Sequence, residues 1–202
     1  MGGGSDGSGS GRQASPGQGR AQASRRKARQ AAPATGERLE AAAIRYLERY
    51  AASARHLERL LLNKVRRSAE AHGTDAEAGA AFVRALIARL QGSGILDDRR
   101  YAEGKAQSLR RKGGSARAIR AALAVKGVAR ETVETALVTA DEESAGAEAD
   151  LAAARRFAER RRLGPWRTKE RAAHRLKDLA ALGRAGFSYD VARRVMEGEA
   201  ED

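Results

Sequence analysis

Cysteine is absent from the 202 residues, which removes disulfide frameworks, thiolate metal sites, iron–sulfur clusters and cysteine nucleophiles together. Histidine occurs three times, as His56, His72 and His174, and no two stand at metal-ligand spacing. Aromatic residues make up 4%, too few to build a stacking platform for single-stranded nucleic acid. Of the three prolines, only Pro165 interrupts the periodic part of the chain. No apolar run approaches the roughly 18 residues of a membrane span, and the Gly- and Ser-rich start lacks the apolar segment of a secretory signal. These absences lead to the expectation of a cytoplasmic protein with no membrane contact, no cofactor and no metal.

What is present is charge. Hydrophobic residues at 42% and charged residues at 32% describe a globular chain with a heavily charged surface. Lys+Arg is 39 against 26 acids, a formal net of +13. Only seven of the cations are lysine, and the guanidinium fork suits phosphate and carboxylate bidentately. Genomic base composition accounts for arginine over lysine, but not for the net surplus, which argues for a polyanionic partner.

Residues 1–37 read as a disordered tail, Gly- and Ser-rich at first and basic through Arg20, Arg25, Arg26, Lys27 and Arg29. From Arg38 to about Met196 the pattern is helical, rich in alanine, leucine, arginine and glutamate. Stop signals at His72-Gly73, Gly92-Ser-Gly94, Gly113-Gly114, Gly127, Gly164-Pro165, Gly183 and Gly186 cut it into short helices. The stretch 67–79 reads as a long loop. A repeat lies inside: Ser53-Ala-Arg55 recurs as Ser115-Ala-Arg117, an offset of 62 that also pairs Leu57 with Ile119, Leu61 with Leu123 and Lys64 with Lys126. The serines stand where N-caps belong and the apolar residues share a face. A fainter third copy has Thr168 as cap, followed by Ala172 and Leu176. The expected fold is all-α: three tandem three-helix repeats, at 38–95, 96–140 and 146–196, forming an elongated, curved body. The acidic stretch Asp141–Asp150 reads as a short loop running into a helix.

Catalysis finds no support. Asp97-Asp98 opens a helix, where one carboxylate caps and the other faces the helix dipole. His72 precedes a glycine, as at a helix end. No nucleophile elbow, Walker motif or metalloprotease signature is present. Tyr101, Phe157 and Trp166 lie among charges, the first two as anchors of small cores and Trp166 over a turn. Basic clusters remain: Arg99, Arg100, Lys105, Arg110, Arg111, Lys112, Arg117, Arg120 and Lys126 in the second repeat, and ten cations between 155 and 177 in the third.

The stretch Ile95-Leu-Asp-Asp-Arg-Arg-Tyr-Ala102, with Arg110-Arg-Lys-Gly113 and Ile119…Leu123…Lys126-Gly-Val128, resembles the RecX regulatory proteins. Their central signature has Leu-Asp-Asp, an aromatic, Ala, and a later helix ending in Lys-Gly-Ile/Val. Tyr46-Leu47 with Ser53…Lys64 is similar to the opening repeat, and Gly186-Phe-Ser-Tyr-Asp-Val-Ala-Arg-Arg-Val195 to the closing one. The chain departs from the pattern at Gly113-Gly114-Ser115, where a Gly-x-Gly turn is common, and at Ala122-Leu123, where Glu-Leu is common. The resemblance covers about 38–196. It implies a monomeric, non-catalytic modulator of the RecA recombinase in recombination, DNA repair and the SOS response. Such proteins lodge in the groove of the RecA–DNA filament and restrain strand exchange and ATP hydrolysis. The alternative is a helical protein that binds DNA directly through the basic faces of repeats two and three.

Contacts with filament or DNA are expected from Arg110, Arg111, Arg117, Arg120 and Lys126, and from Arg160, Arg161, Arg167, Arg171 and Arg175. Those near Gly113-Gly114 and those near Gly164-Pro165 flank corresponding turns, and stacking is expected to join them into one basic stripe.

Overall fold

The protein is described as a computed structural model covering residues 32–143 and 148–198. The expected tail lies outside the described residues as far as residue 31, and Gly36 and Glu37 are already helical. Among the described residues every regular element is a helix. In chain order they are α1 (Gly36–Leu47), α2 (Ala54–His72), α3 (Ala76–Gly92), α4 (Asp98–Arg111), α5 (Ala116–Val125), α6 (Arg130–Glu142), α7 (Ala149–Arg161), α8 (Arg171–Arg184) and α9 (Tyr189–Glu197). A short 3-10 turn at Gly164–Trp166 lies between α7 and α8.

Side-chain caps start most of these helices. Thr35, Ser53, Asp75, Asp97, Ser115 and Ser188 each accept a backbone N–H of the first turn, satisfying donors that have no partner inside the helix. Glycines in the left-handed region end several of them, Gly73 and Gly127 among them. Three expectations change here. Gly183 is an interior residue of α8 rather than a stop. Thr168 caps nothing, because α8 starts from Glu170, itself left-handed with φ 50° and making no side-chain cap bond. Residues 67–72 continue α2, so only Gly73–Asp75 separate it from α3. The apolar spacing of α2 runs on through Val65, and helix continues wherever an apolar stripe has a partner to cover it.

The buried apolar residues form three separate cores, one per helix triplet. Leu57, Leu61, Val83 and Leu86 centre the first, Ala102, Ile119, Leu123 and Val133 the second, and Ala154, Leu182, Phe187 and Val195 the third. Leu96 closes the first core from the start of the second unit's connection. Alanine supplies much of the second and third cores, which brings helix axes close. Tyr101 packs at the edge of the second core, and Phe157 and Trp166 against the third, with the Phe157 and Phe187 rings edge-on at 5.9 Å.

Candidate partner-binding interface

Two junctions join the units, and both are built by one rule. At the first, the Ser53 hydroxyl caps α2 and donates to the Lys126 carbonyl at the end of α5, at 2.5 Å. The next amide, Ala54 N, donates to Asp98 Oδ1 of α4 at 2.7 Å. At the second, Ser115 caps α5 and donates to the Ala185 carbonyl at the end of α8, at 2.8 Å. Ala116 N donates to Asp150 Oδ1 of α7 at 2.9 Å. Both serines are fully buried, and each hydroxyl is satisfied as donor and acceptor. The 62-residue offset is thus a repeat of contacts between units. It also settles the Asp97-Asp98 pair: Asp97 caps its own helix through Arg100 N at 3.0 Å, and Asp98 caps the preceding unit's α2.

The residue after each Ser-Ala is an exposed arginine, and each lies on a left-handed glycine of the next unit. A Cβ on Gly127 would stand 2.4 Å from Arg55 Cδ, and one on Gly186 would stand 3.3 Å from Arg117 Cβ. Two further cations, Lys126 and Arg59, act on the neighbouring His56. His56 is held less basic than usual, first by burial and then by Lys126 and Arg59, and its ring lies 3.1 Å from the Tyr46 hydroxyl. Arg59 anchors on the Val125 carbonyl at 2.9 Å. Among the described residues no carboxylate pairs with Arg55, Arg117, Arg111 or Lys126. Arg55 and Arg59 were not among the expected contacts, although Arg55 is the repeat partner of Arg117.

Several expected contact residues are occupied within the fold. Arg110 is corrected outright: it is 1% exposed and sits between the second and third units. Its guanidinium donates to Asp141 at 2.7 and 3.0 Å, to the Gly114 carbonyl at 3.0 Å and to Asp150. Burial works against its charge, but the two carboxylates more than offset this and raise its pKa. No partner reaches it. Arg167, half-buried, pairs with the buried Asp178 at 2.7 and 2.9 Å. Asp178 also accepts Gly164 N at 2.9 Å. Burial pushes its carboxyl up, but Arg167 and the Gly164 amide outweigh burial and hold it below the ordinary value.

The remaining expected residues divide. Arg120 is exposed but forked onto Glu134, with contacts of 2.9 to 3.1 Å. Arg171 donates to the Met196 and Gly198 carbonyls, and Arg175 stands 3.7 Å from Glu197. Arg160 donates to the Lys112 carbonyl at 2.6 Å, and Arg161 lies 5.3 Å over the Phe157 ring. Arg111 and Arg117 flank the Gly113-Gly114 turn in the chain, Arg160 reaches the Lys112 carbonyl beside it, and Lys126 stands at the first junction. Arg167, Arg171 and Arg175 make their contacts within unit three, with Asp178 and with the C-terminal helix and its end.

No cluster of three or more metal-ligating side chains occurs among the described residues. No helix among them is long and apolar enough to cross a membrane.

Comparison with known proteins converges on one family. The profile of the second three-helix domain of RecX matches residues 97–137. The regulatory protein RecX of Myxococcus xanthus is 44% identical over 161 residues, which is 79% of this chain and 84% of that protein. The regulatory protein RecX of Agrobacterium fabrum is 39% identical over 132 residues, 61% of this chain and 67% of that protein. Among solved structures, RecX from Lactobacillus salivarius superposes with a TM-score of 0.58 at 19% identity, over 80% of this chain and 94% of that one. A second crystal structure of a regulatory protein RecX superposes at 0.56 and 18% identity, over 92% of this chain and 80% of that one.

Proposed function

The chain belongs to the RecX family of regulatory proteins, and on that premise we propose that it binds the RecA–DNA filament as a cytoplasmic monomer and restrains its ATP hydrolysis and strand exchange. It contributes no chemistry of its own. The observation that carries this reading is the pair of exposed arginines, Arg55 and Arg117, set one repeat apart at equivalent junctions. Arginines recurring with the fold's own period suit a partner whose anionic groups also recur, as along a nucleoprotein filament. Lys126 and Arg59 add to the first position, and Arg111 and Arg160 to the second.

The experiment compares partners at physiological salt. The protein is titrated against a RecA–DNA filament and against the same DNA without RecA. Binding to the filament at least tenfold tighter than to bare DNA supports the reading. Equal affinities, with the steep salt dependence of phosphate contacts in both, point instead to a protein that acts on DNA directly.

A further inference from the structure

The first unit carries a groove of about 590 Å³ that the junctions do not use. It runs between α1 and α2, under the strap 32–35 that enters α1. The strap is tied down because Ala34 N donates to the buried Ser68 hydroxyl of α2 at 2.8 Å, and Thr74 Oγ1 donates to the same oxygen at 2.9 Å. The groove is therefore preformed. Its apolar lining, the floor, is made by Pro33, Leu39, Ala41 and Ala42. Its rim is cationic, with Arg38, Arg45, Lys64 and Arg67 against the single acid Glu37. All four cations are exposed, and none forms an ion pair among the described residues.

We propose that this groove docks an acidic peptide segment of a protein partner, with one or two large apolar side chains seated on the alanine floor. A floor of small side chains leaves room for a large one, and the rim is complementary to carboxylates flanking it. Nucleic acid fits less well, because no aromatic residue lines the groove for a base to stack on. The chain's own first 31 residues do not fit either, since they carry six cations, Arg12, Arg20, Arg25, Arg26, Lys27 and Arg29, against Asp6 alone. The proposal is independent of the filament reading, as none of the four rim cations belongs to a junction.

The test titrates the full chain with a fluorescein-labelled peptide of alternating glutamate and leucine, with its alanine-for-leucine counterpart, and with a single-stranded oligonucleotide of equal charge. The leucine peptide is expected to bind at least tenfold more tightly than the alanine peptide. Two variants whose helicity is checked by circular dichroism, Arg45→Glu with Arg67→Glu and Ala41→Trp, are each expected to weaken it tenfold or more. Ala41 is exposed, so tryptophan there fills the floor without entering the core. The proposal is overturned if the leucine peptide does not bind at millimolar concentration, if neither folded variant weakens it, or if the two peptides bind alike. Displacement of the peptide by the oligonucleotide at equal concentration also overturns it.

Discussion

At Arg110 an alanine removes a guanidinium that two carboxylates and a backbone carbonyl surround. Breaking such a buried arrangement from one side costs about 3–5 kcal/mol, and Arg110→Ala is expected to lose roughly that in a urea unfolding curve. Arg111→Ala, one residue on and exposed, is expected to change stability by less than about 0.5 kcal/mol. Equal effects at the two positions would contradict the placement. The two look alike in the sequence, as neighbours in one basic run. What separates them is Asp141 and Asp150, 31 and 40 residues away, and no local pattern announces a pairing at that range. Asp178 gives a pH prediction. Its folded carboxyl lies below its unfolded value, so its contribution is complete above the ordinary aspartate pKa of about 4 and is lost as the pH falls through the lower folded value. Unfolding measured across a pH series is expected to show an acid limb below about pH 4 that Asp178→Asn flattens. An unchanged limb in that variant would assign the acid sensitivity elsewhere.

At the scale of the helix, the capping serines carry two tasks that an alanine forfeits together. Ser53→Ala and Ser115→Ala each remove a cap and leave a carbonyl of the next unit without its donor. A loss of about 1–2 kcal/mol is expected for each by thermal or chemical unfolding. The capping role was legible from the serine preceding an apolar helical face. The donation to the following unit was not, because it depends on the end of a helix some 70 residues away. Glycines divide in the same manner. Gly186 has φ 93° and a Cβ there would meet Ser115 Oγ at 2.6 Å, whereas Gly183 lies inside α8 with nothing within 4 Å. Gly186→Ala is therefore expected to destabilise the second junction, and Gly183→Ala to stabilise by up to about 1 kcal/mol. In the sequence both read as stops, and only the geometry around each tells a turn from a helix interior. Arg162 shows a third case: it ends α7 at φ 52°, so Arg162→Gly is expected to raise the melting temperature by relieving about 1 kcal/mol of strain.

At the scale of the whole molecule, three small cores held in a row by two equivalent junctions leave an arginine standing at each. The three-helix grouping was visible in the 62-residue offset, in the glycine punctuation and in the resemblance of Leu96-Asp-Asp and Lys126-Gly-Val to a known signature. The proposed binding surface was visible only as an excess of cations. Sorting that excess required knowing which arginines the fold pairs internally, and Arg110, Arg120, Arg167, Arg171 and Arg175 all have partners within the chain. The measurement that tests this account most directly is inhibition of RecA ATP hydrolysis on DNA by a variant carrying Arg55→Glu, Arg111→Glu, Arg117→Glu and Lys126→Glu. Its helicity and unfolding curve are compared with the unaltered protein. None of these four side chains makes an ion pair among the described residues, so folding is expected to survive their reversal. A folded protein that needs at least a hundredfold higher concentration to inhibit is expected, and a folded variant that inhibits at the unaltered concentration would show that these four side chains do not carry binding.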